Sequence, residues 1–169
     1  MNIVLRELCR ADLSTLNGWR NDPSVIGLLG SNFLHISPEI EDRWFDAYLS
    51  NRSSAVRLAI VDAAADDAFV GTVQLTSIHH INRNAEFSIM IGRADYWSKG
   101  VGRVASAAML RHGFEDLNLH RIYLTVLTDN ERAVRLYTQL GFQNEGILRG
   151  SVFKNGTYRD MIAMAILKE

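Results

Sequence analysis

Cysteine is nearly absent from this chain. It occurs once, at Cys9, so no internal disulfide can form and no cysteine-rich metal site can be built. The five histidines contain no H-x-x-x-H pair, and the adjacent His79 and His80 would point to opposite faces of a strand, so no metal is expected. Eighteen basic residues meet nineteen acidic ones, a formal net charge of −1, which offers no bulk attraction to nucleic acid or to an anionic membrane. No apolar run approaches the ~20 residues that span a bilayer. The opening Met1-Asn2-Ile3-Val4-Leu5-Arg6-Glu7 lacks the basic-then-apolar order of a signal peptide, so a cytoplasmic protein is expected. Proline is scarce as well, with Pro23 and Pro38 alone, and beyond Pro38 nothing of this kind breaks an element.

What is there suits a folded enzyme-sized domain. A hydrophobic share of 47% excludes disorder of the whole chain, and 169 residues make one domain, 1–169, with little room for two. Ile3 to Leu8 reads as a strand, and Asp12 as the cap of a helix through Leu13, Leu16 and Trp19. Ser37-Pro38 starts a second helix carrying Ile40, Trp44, Ala47 and Tyr48. Ala55–Asp62, Phe69–Ile78 and Asn84–Gly92 are three strands. Gly100 to Leu117 is the clearest helix, with Val104, Ala107, Leu110, Phe114 and Leu117 on one stripe. Arg121–Leu127 reads as a central strand, Ala133–Leu140 as a short helix ended by Gly141, and Asn155-Gly156 as the turn of a closing hairpin. The expected class is α/β of the α+β kind, a mixed, mostly antiparallel sheet of about seven strands flanked by about four helices.

Two segments carry chemistry. Trp97-Ser98-Lys99-Gly100-Val101-Gly102-Arg103 stands between a strand and the best helix. Its glycines let the backbone approach a ligand, and the free N–H groups of the helix start make an anion site for a phosphate or pyrophosphate. A plain tight turn is the other reading of two such glycines. There is no G-x-x-x-x-G-K-[ST], and Ala105 replaces the third glycine of G-x-G-x-x-G, so neither a P-loop nor a dinucleotide fingerprint is present. The second segment is Thr128-Asp129-Asn130-Glu131-Arg132-Ala133-Val134-Arg135-Leu136-Tyr137, followed by Leu140-Gly141-Phe142.

Together, in this order, the two segments resemble the GNAT superfamily of acyl-CoA-dependent N-acetyltransferases. There the loop reads Q/R-x-x-G-x-G/A, and the later motif resembles N-x-x-A-x-x-L-Y-x-x-x-G-F, matched by Asn130, Ala133, Leu136, Tyr137, Gly141 and Phe142. The first loop position departs, being Trp97, but Tyr96-Trp97 is similar to the branch of ribosomal-protein N-terminal acetyltransferases, and Asn84 through Glu86 to Ile89 and Asn155-Gly156 through Tyr158-Arg159-Asp160 resemble that branch and its spermidine-acetylating cousins. The likeness runs from Leu5-Arg6 to the closing hairpin.

The resemblance implies acetyl-CoA as acyl donor and direct transfer to a primary amine. It implies cofactor contacts by Trp97 to Arg103, by Asn130 on the pantetheine arm, by Arg135, and by backbone groups of Met90, Ile91 and Gly92 on a strand that splays from its neighbour. Tyr137 resembles the acid that protonates the departing sulfur; a core tyrosine is the alternative. Only a neutral amine attacks a thioester, so a base is needed. Glu86 is the candidate, with a surface or ion-paired carboxylate as its alternative and His79, His80 and His120 as other bases or relays. Cys9 reads as inert packing.

Trp19, Arg20 and Trp44 are the candidate acceptor contacts, by stacking or by meeting a phosphate, with helix packing as the alternative. An amino sugar, a polyamine or a peptide N-terminus remain open as acceptors; the uncharged Gly30–Leu34 segment weighs against a polyamine. A homodimer is plausible for this branch. A catalytically silent acyl-CoA-binding module is the rival function.

Overall fold

Period-two and continuous apolar patterns become strands at β1 (Ile3–Glu7), β2 (Val56–Asp62), β3 (Ala68–His79), β4 (Asn84–Ile91), β5 (Arg121–Leu127), β6 (Gln143–Lys154) and β7 (Thr157–Leu167) in the computed structural model, which describes residues 1–168. They form one sheet of seven strands in the order β1-β2-β3-β4-β5-β7-β6. Every neighbouring pair is antiparallel except β4 and β5. The turn between β6 and β7 is as expected. Asn155 and Gly156 take φ of 51° and 79°, and Lys154 pairs directly with Thr157, which defines a two-residue turn with both centres left-handed.

Five helices stand where about four were expected: α1 (Leu13–Arg20), α2 (Pro23–Ile26), α3 (Pro38–Ser50), α4 (Val101–Arg111) and α5 (Glu131–Gln139). The additional one is the single turn α2, started by Asp22, whose carboxylate accepts from the Ser24 amide at 2.8 Å with Pro23 in the first turn. Ser37 caps α3, accepting from the Ile40 amide. Asp12 does not cap α1 by its side chain. Its buried carboxylate is held by two bonds of 2.7 Å from Arg6 and one of 2.9 Å from the Cys9 amide. Cys9 is exposed rather than packed, its thiol 3.2 Å from the same carboxylate.

The buried face of α4 also differs from the expected stripe. Val101, Ala105, Ser106, Met109 and Leu110 face the sheet, whereas Val104 is 49% exposed and Ala107 is exposed. Beyond Arg111 the helix widens into a π-turn, His112–Asp116, so residues past it no longer continue one straight stripe. Gly113 lies in that turn, where a Cβ would fall 2.8 Å from Ile122 Cδ1.

The sheet separates two apolar layers. On one face Ile60, Val73, Leu75, Phe87 and Leu124 pack with Met109 of α4 and Tyr137 of α5. On the other, Ala59, Val61 and Met90 pack with Leu16 of α1 and Phe45 and Tyr48 of α3. Fully buried side chains such as Leu16 and Met109 each contribute about 1.5–3 kcal/mol to this arrangement. β5 is not buried on both faces as expected: Thr125 is exposed because its face opens into a cavity.

Candidate active site

The parallel pair β4–β5 stops after three positions, Asn84–Arg121, Ala85–Ile122 and Glu86–Tyr123. Beyond Glu86 the strands part, and main-chain groups of β4 that would continue the ladder face a gap. The phase follows from the Gly92 amide, which bonds Val70 O at 3.0 Å. In an antiparallel ladder hydrogen-bonded pairs alternate. Thus Met90, opposite Thr72, also turns its main chain toward β3, and its carbonyl sits 2.3 Å from where a Cβ on Gly71 would be. Ile89 and Ile91 turn theirs toward the gap. This corrects the expectation for Met90, whose main chain faces β3, and for the Gly92 amide, which is spent on Val70 O. The Ile91 carbonyl is also occupied, by the Trp97 indole N–H at 2.8 Å, leaving its amide and both groups of Ile89 for a ligand.

Next to the gap lies the start of α4. Gly100, at φ 83°, is its left-handed N-cap, and Ser98 also has positive φ, at 59°. No side chain caps this end and no acidic residue stands in its first turn, so the amides that begin the helix remain open to an anion. Gly102 faces Leu136, 3.3 Å from where a Cβ would stand. Trp97 supports the loop by tying it to β4, with the Arg132 guanidinium 5.6 Å from its ring centre.

One cavity of about 980 Å³ joins these parts. It is lined by Glu86, Met90, Ile91, Trp97, Ser98, Gly100, Val101, Gly102, Arg103, Asn130, Arg135 and Tyr137, and on its other side by Arg20 and Trp44. Trp19, Gly92 and Lys99 are not among its lining residues. The Trp19 ring packs instead on Gly92 and on Phe69, at 4.8 Å between centroids, so helix packing is its role. His79, His80 and His120 lie outside as well; His79 accepts from the Asn82 amide and His80 contacts the Ser53 carbonyl.

Tyr137 is buried against Phe87 and Phe142, with centroids at 6.1 and 5.7 Å, and burial pushes its phenol up to about 12. Glu86 projects from β4 on the same face as Ser88, two residues on, and is in register with Thr76 and Tyr123. Among the described residues it makes no ion pair or side-chain hydrogen bond. Asn130 has both ends of its amide committed: Oδ1 accepts from the Ala133 amide at 3.2 Å as the α5 cap, and Nδ2 donates to Leu28 O at 2.9 Å. The capping role holds, and the second bond goes to the chain, not to free space beside the gap.

Arg20 is likewise engaged. Its guanidinium pairs with the Glu41 carboxylate at 2.8 Å, in a position where Glu41 is 1% exposed, and lies 4.2 Å from the Trp44 ring centre. Burial holds its pKa below the usual value despite that partner. On the neighbouring strands Arg57, Gln74 and Ser88 stand opposite one another across β2, β3 and β4. Arg57 Nη1 donates to Gln74 Oε1, and Gln74 Nε2 donates to Ser88 Oγ at 2.7 Å. Arg57 and Gln74 line the cavity and went unnoticed in the sequence, and Arg132, quoted within the second segment, was given no role there. The available signal was a charged and an amide side chain set among apolar neighbours in Val56-Arg57-Leu58 and Val73-Gln74-Leu75.

The segment between α2 and α3 closes this side, with Leu28, Leu29, Gly30, Ser31, Asn32, Leu34 and Ile36 on the cavity wall. Lys154 fastens it from beneath. Its buried ammonium donates to Ile26 O, Leu29 O and Ser31 O at 2.9, 2.7 and 2.7 Å.

A splayed strand pair with an open helix start beside it offers main-chain donors to an extended, anionic ligand, and a buried phenol shares the same cavity. The family described as acetyltransferase (GNAT) domain matches residues 2–143, and the chain belongs to it. It is 34% identical to the spermidine N(1)-acetyltransferase of Escherichia coli strain K12 over 167 residues, 99% of this chain and 87% of that one. It is also 34% identical to the spermidine N(1)-acetyltransferase of Vibrio cholerae over 166 residues, 98% of this chain and 93% of the relative. A crystal structure of the spermidine N-acetyltransferase from Vibrio cholerae, in complex with CoA and spermine, superposes with a TM-score of 0.92 at 32% identity, covering 98% of this chain and 95% of that one. The protein is an acetyl-CoA-dependent N-acetyltransferase, and acetyl-CoA is its acyl donor. Among the described residues no helix is long and apolar enough to cross a membrane, and no group of three or more His, Cys, Asp or Glu could hold a metal.

Proposed function

We propose that the acceptor is the primary amine of a small molecule, with Glu86 as base and Tyr137 as acid. The reading rests on one cavity that takes in the open start of α4, the gap beside β4, Glu86, Tyr137 and the walls on either side. A chamber closed by the Leu28–Ile36 segment suits a compact acceptor better than a protein N-terminus. Bound acetyl-CoA supplies the acetyl thioester that the neutral amine attacks. The open amides at Val101, Gly102 and Arg103, with the charges of Arg103, Arg132 and Arg135, suit its phosphates, and the Ile89 main chain suits its pantetheine amides. An amine of pKa ~10 arrives mostly protonated, and Glu86, free of competing partners, is placed to draw that proton off. Tyr137, held protonated by burial, donates its Oη–H to the departing sulfur.

The spermidine acetyltransferases among the relatives support polyamines as the first acceptors to test. In this reading residues 1–169 form one catalytic domain working in the cytoplasm. A homodimer would have the exposed Ile147, Leu148, Phe153 and Tyr158 of the β6–β7 hairpin as a surface to cover. The experiment is thiol release from acetyl-CoA with spermidine, amino sugars, amino acids and an N-terminal peptide, with the acetylated product identified by mass spectrometry. Turnover of small amines with none of the peptide is expected. Exclusive turnover of the peptide would overturn the small-molecule reading.

A further inference from the structure

Among the described residues Glu86 is the sole carboxylate lining the cavity, against the guanidiniums of Arg20, Arg57, Arg103, Arg132 and Arg135. The last three lie on α4 and α5, at the cofactor end. Arg20 and Arg57 stand on α1 and β2, away from that end. Arg20 has Glu41 for a partner. Among the described residues Arg57 has no carboxylate partner. Its Nη1 is used on a neutral amide, its Nε is buried without any partner, and no hydrogen bond is made by Nη2. Nε is sealed from the cavity, whereas Nη2, unbonded and not buried in a residue that lines it, is the donor an acceptor there could reach.

The surroundings fix this guanidinium without using it up. It lies 4.8 Å from the Trp44 ring centre and 5.6 Å from that of Tyr48, contacts that orient its plane and consume no N–H. Gln74, held in turn by Ser88, sets one corner of the fork. Burial and the like charge of Arg20 both work against the Arg57 cation, a strain that an anion would relieve.

We propose that the acceptor carries an anionic group, a carboxylate or a phosphate, which docks on Arg57 while its amine reaches Glu86. The inference rests on the N-acetyltransferase reading above and selects within it. Arg57 and Glu86 stand two strands apart and two residues out of register, about 12 Å between Cα atoms at ordinary strand spacings, with both side chains on the same face. Once the side chains are counted, that span leaves room for a skeleton of amino-acid or amino-sugar size. A polycation would meet one carboxylate and would press like charge onto an unneutralised guanidinium.

The test uses matched pairs of acceptors: 4-aminobutyrate against 1,4-diaminobutane, and glucosamine 6-phosphate against glucosamine, with spermidine alongside. The wild-type chain should favour the anionic member of at least one pair by about tenfold or more in kcat/KM. Whichever pair shows the preference separates carboxylate from phosphate. Arg57→Gln should bring that ratio close to one by raising the KM of the anionic member, and Arg57→Lys should restore part of it. Each ratio is taken within one sample, so partial unfolding of a variant cancels. Preference for spermidine or for the uncharged or cationic member of both pairs overturns the proposal alone, as does a ratio unchanged in Arg57→Gln. CoA binding with no turnover of any amine overturns the acetyltransferase reading and the proposal with it.

Discussion

The indole of Trp19 lies against Gly92 so closely that a Cβ on the glycine would fall 1.9 Å from ring atom Cδ2. The contact joins α1 to the end of β4, beside the anion loop. Gly92→Ala should therefore cost about 1–3 kcal/mol through overpacking, and lower the thermal midpoint by roughly 2–4 °C for each kcal/mol in a chain of this size. Adding Trp19→Leu should recover part of the loss. A Gly92→Ala chain that melts like the wild type would show that the ring moves aside freely.

Tyr137→Phe should lower kcat by about 100-fold, the usual scale for losing a positioned acid, and leave the CoA dissociation constant within roughly twofold, because the hydroxyl is not needed for CoA to bind. Full activity would exclude the acid role. The same hydroxyl sets a stability signature. Its folded value is raised to about 12 by burial, above that of an unfolded tyrosine, so its contribution is complete below the unfolded value and is lost as pH rises toward about 12. Urea unfolding between pH 9 and 12 should show this alkaline loss in the wild type, and a smaller one in Tyr137→Phe.

Glu86→Gln removes the base while keeping the shape of the site. Below the pKa of its ammonium the free-amine fraction falls tenfold per pH unit. Without a base the rate should follow that fraction, rising about tenfold per unit from pH 7 toward pH 9, whereas the wild type should rise much less steeply. Parallel pH profiles for the two proteins would remove Glu86 from the chemistry.

Lys154→Met keeps the length of the side chain and removes three bonds to the carbonyls of Ile26, Leu29 and Ser31. In the proposed reading the segment it holds walls the acceptor, so the acceptor KM should rise about tenfold, with CoA affinity little changed. Burial holds the Lys154 pKa below its usual value, so its ammonium is already strained by lost hydration, and a methionine there need not unfold the chain. Equal losses toward CoA and acceptor would mean that the lysine supports the whole fold rather than this wall.

Local features read well from the sequence because neighbours in the chain decide them. Asn155-Gly156 made its turn, Ser37-Pro38 began α3, and Gly100 took the left-handed start of α4. What escaped depends on partners far away in the chain. Arg57 gains its meaning from Gln74 and Trp44, and Lys154 from carbonyls more than a hundred positions earlier. The backbone phase of Met90 and Gly92 is set by β3, which no periodicity within β4 reveals. The stripe on α4 failed ahead of the π-turn, where Val101, Ala105 and Met109 take the sheet-facing side and leave Val104 and Ala107 outside. Trp19 and Arg20 stood in the right neighbourhood for the acceptor, but a glycine and a carboxylate elsewhere had already taken their faces.

The early end of the β4–β5 ladder has a consequence for how such a protein can diversify. A ligand received by main-chain atoms of Ile89 and by the first amides of α4 places few demands on which side chains stand there. The opposite half of the chamber is made of side chains from α1, β2, β3 and the segment pinned by Lys154. Exchanging a few of these could redirect the enzyme to a new amine while the donor half carried on unchanged. A ladder that stops after three rungs thus leaves one half of the chamber to main-chain atoms and the other to side chains that can be exchanged.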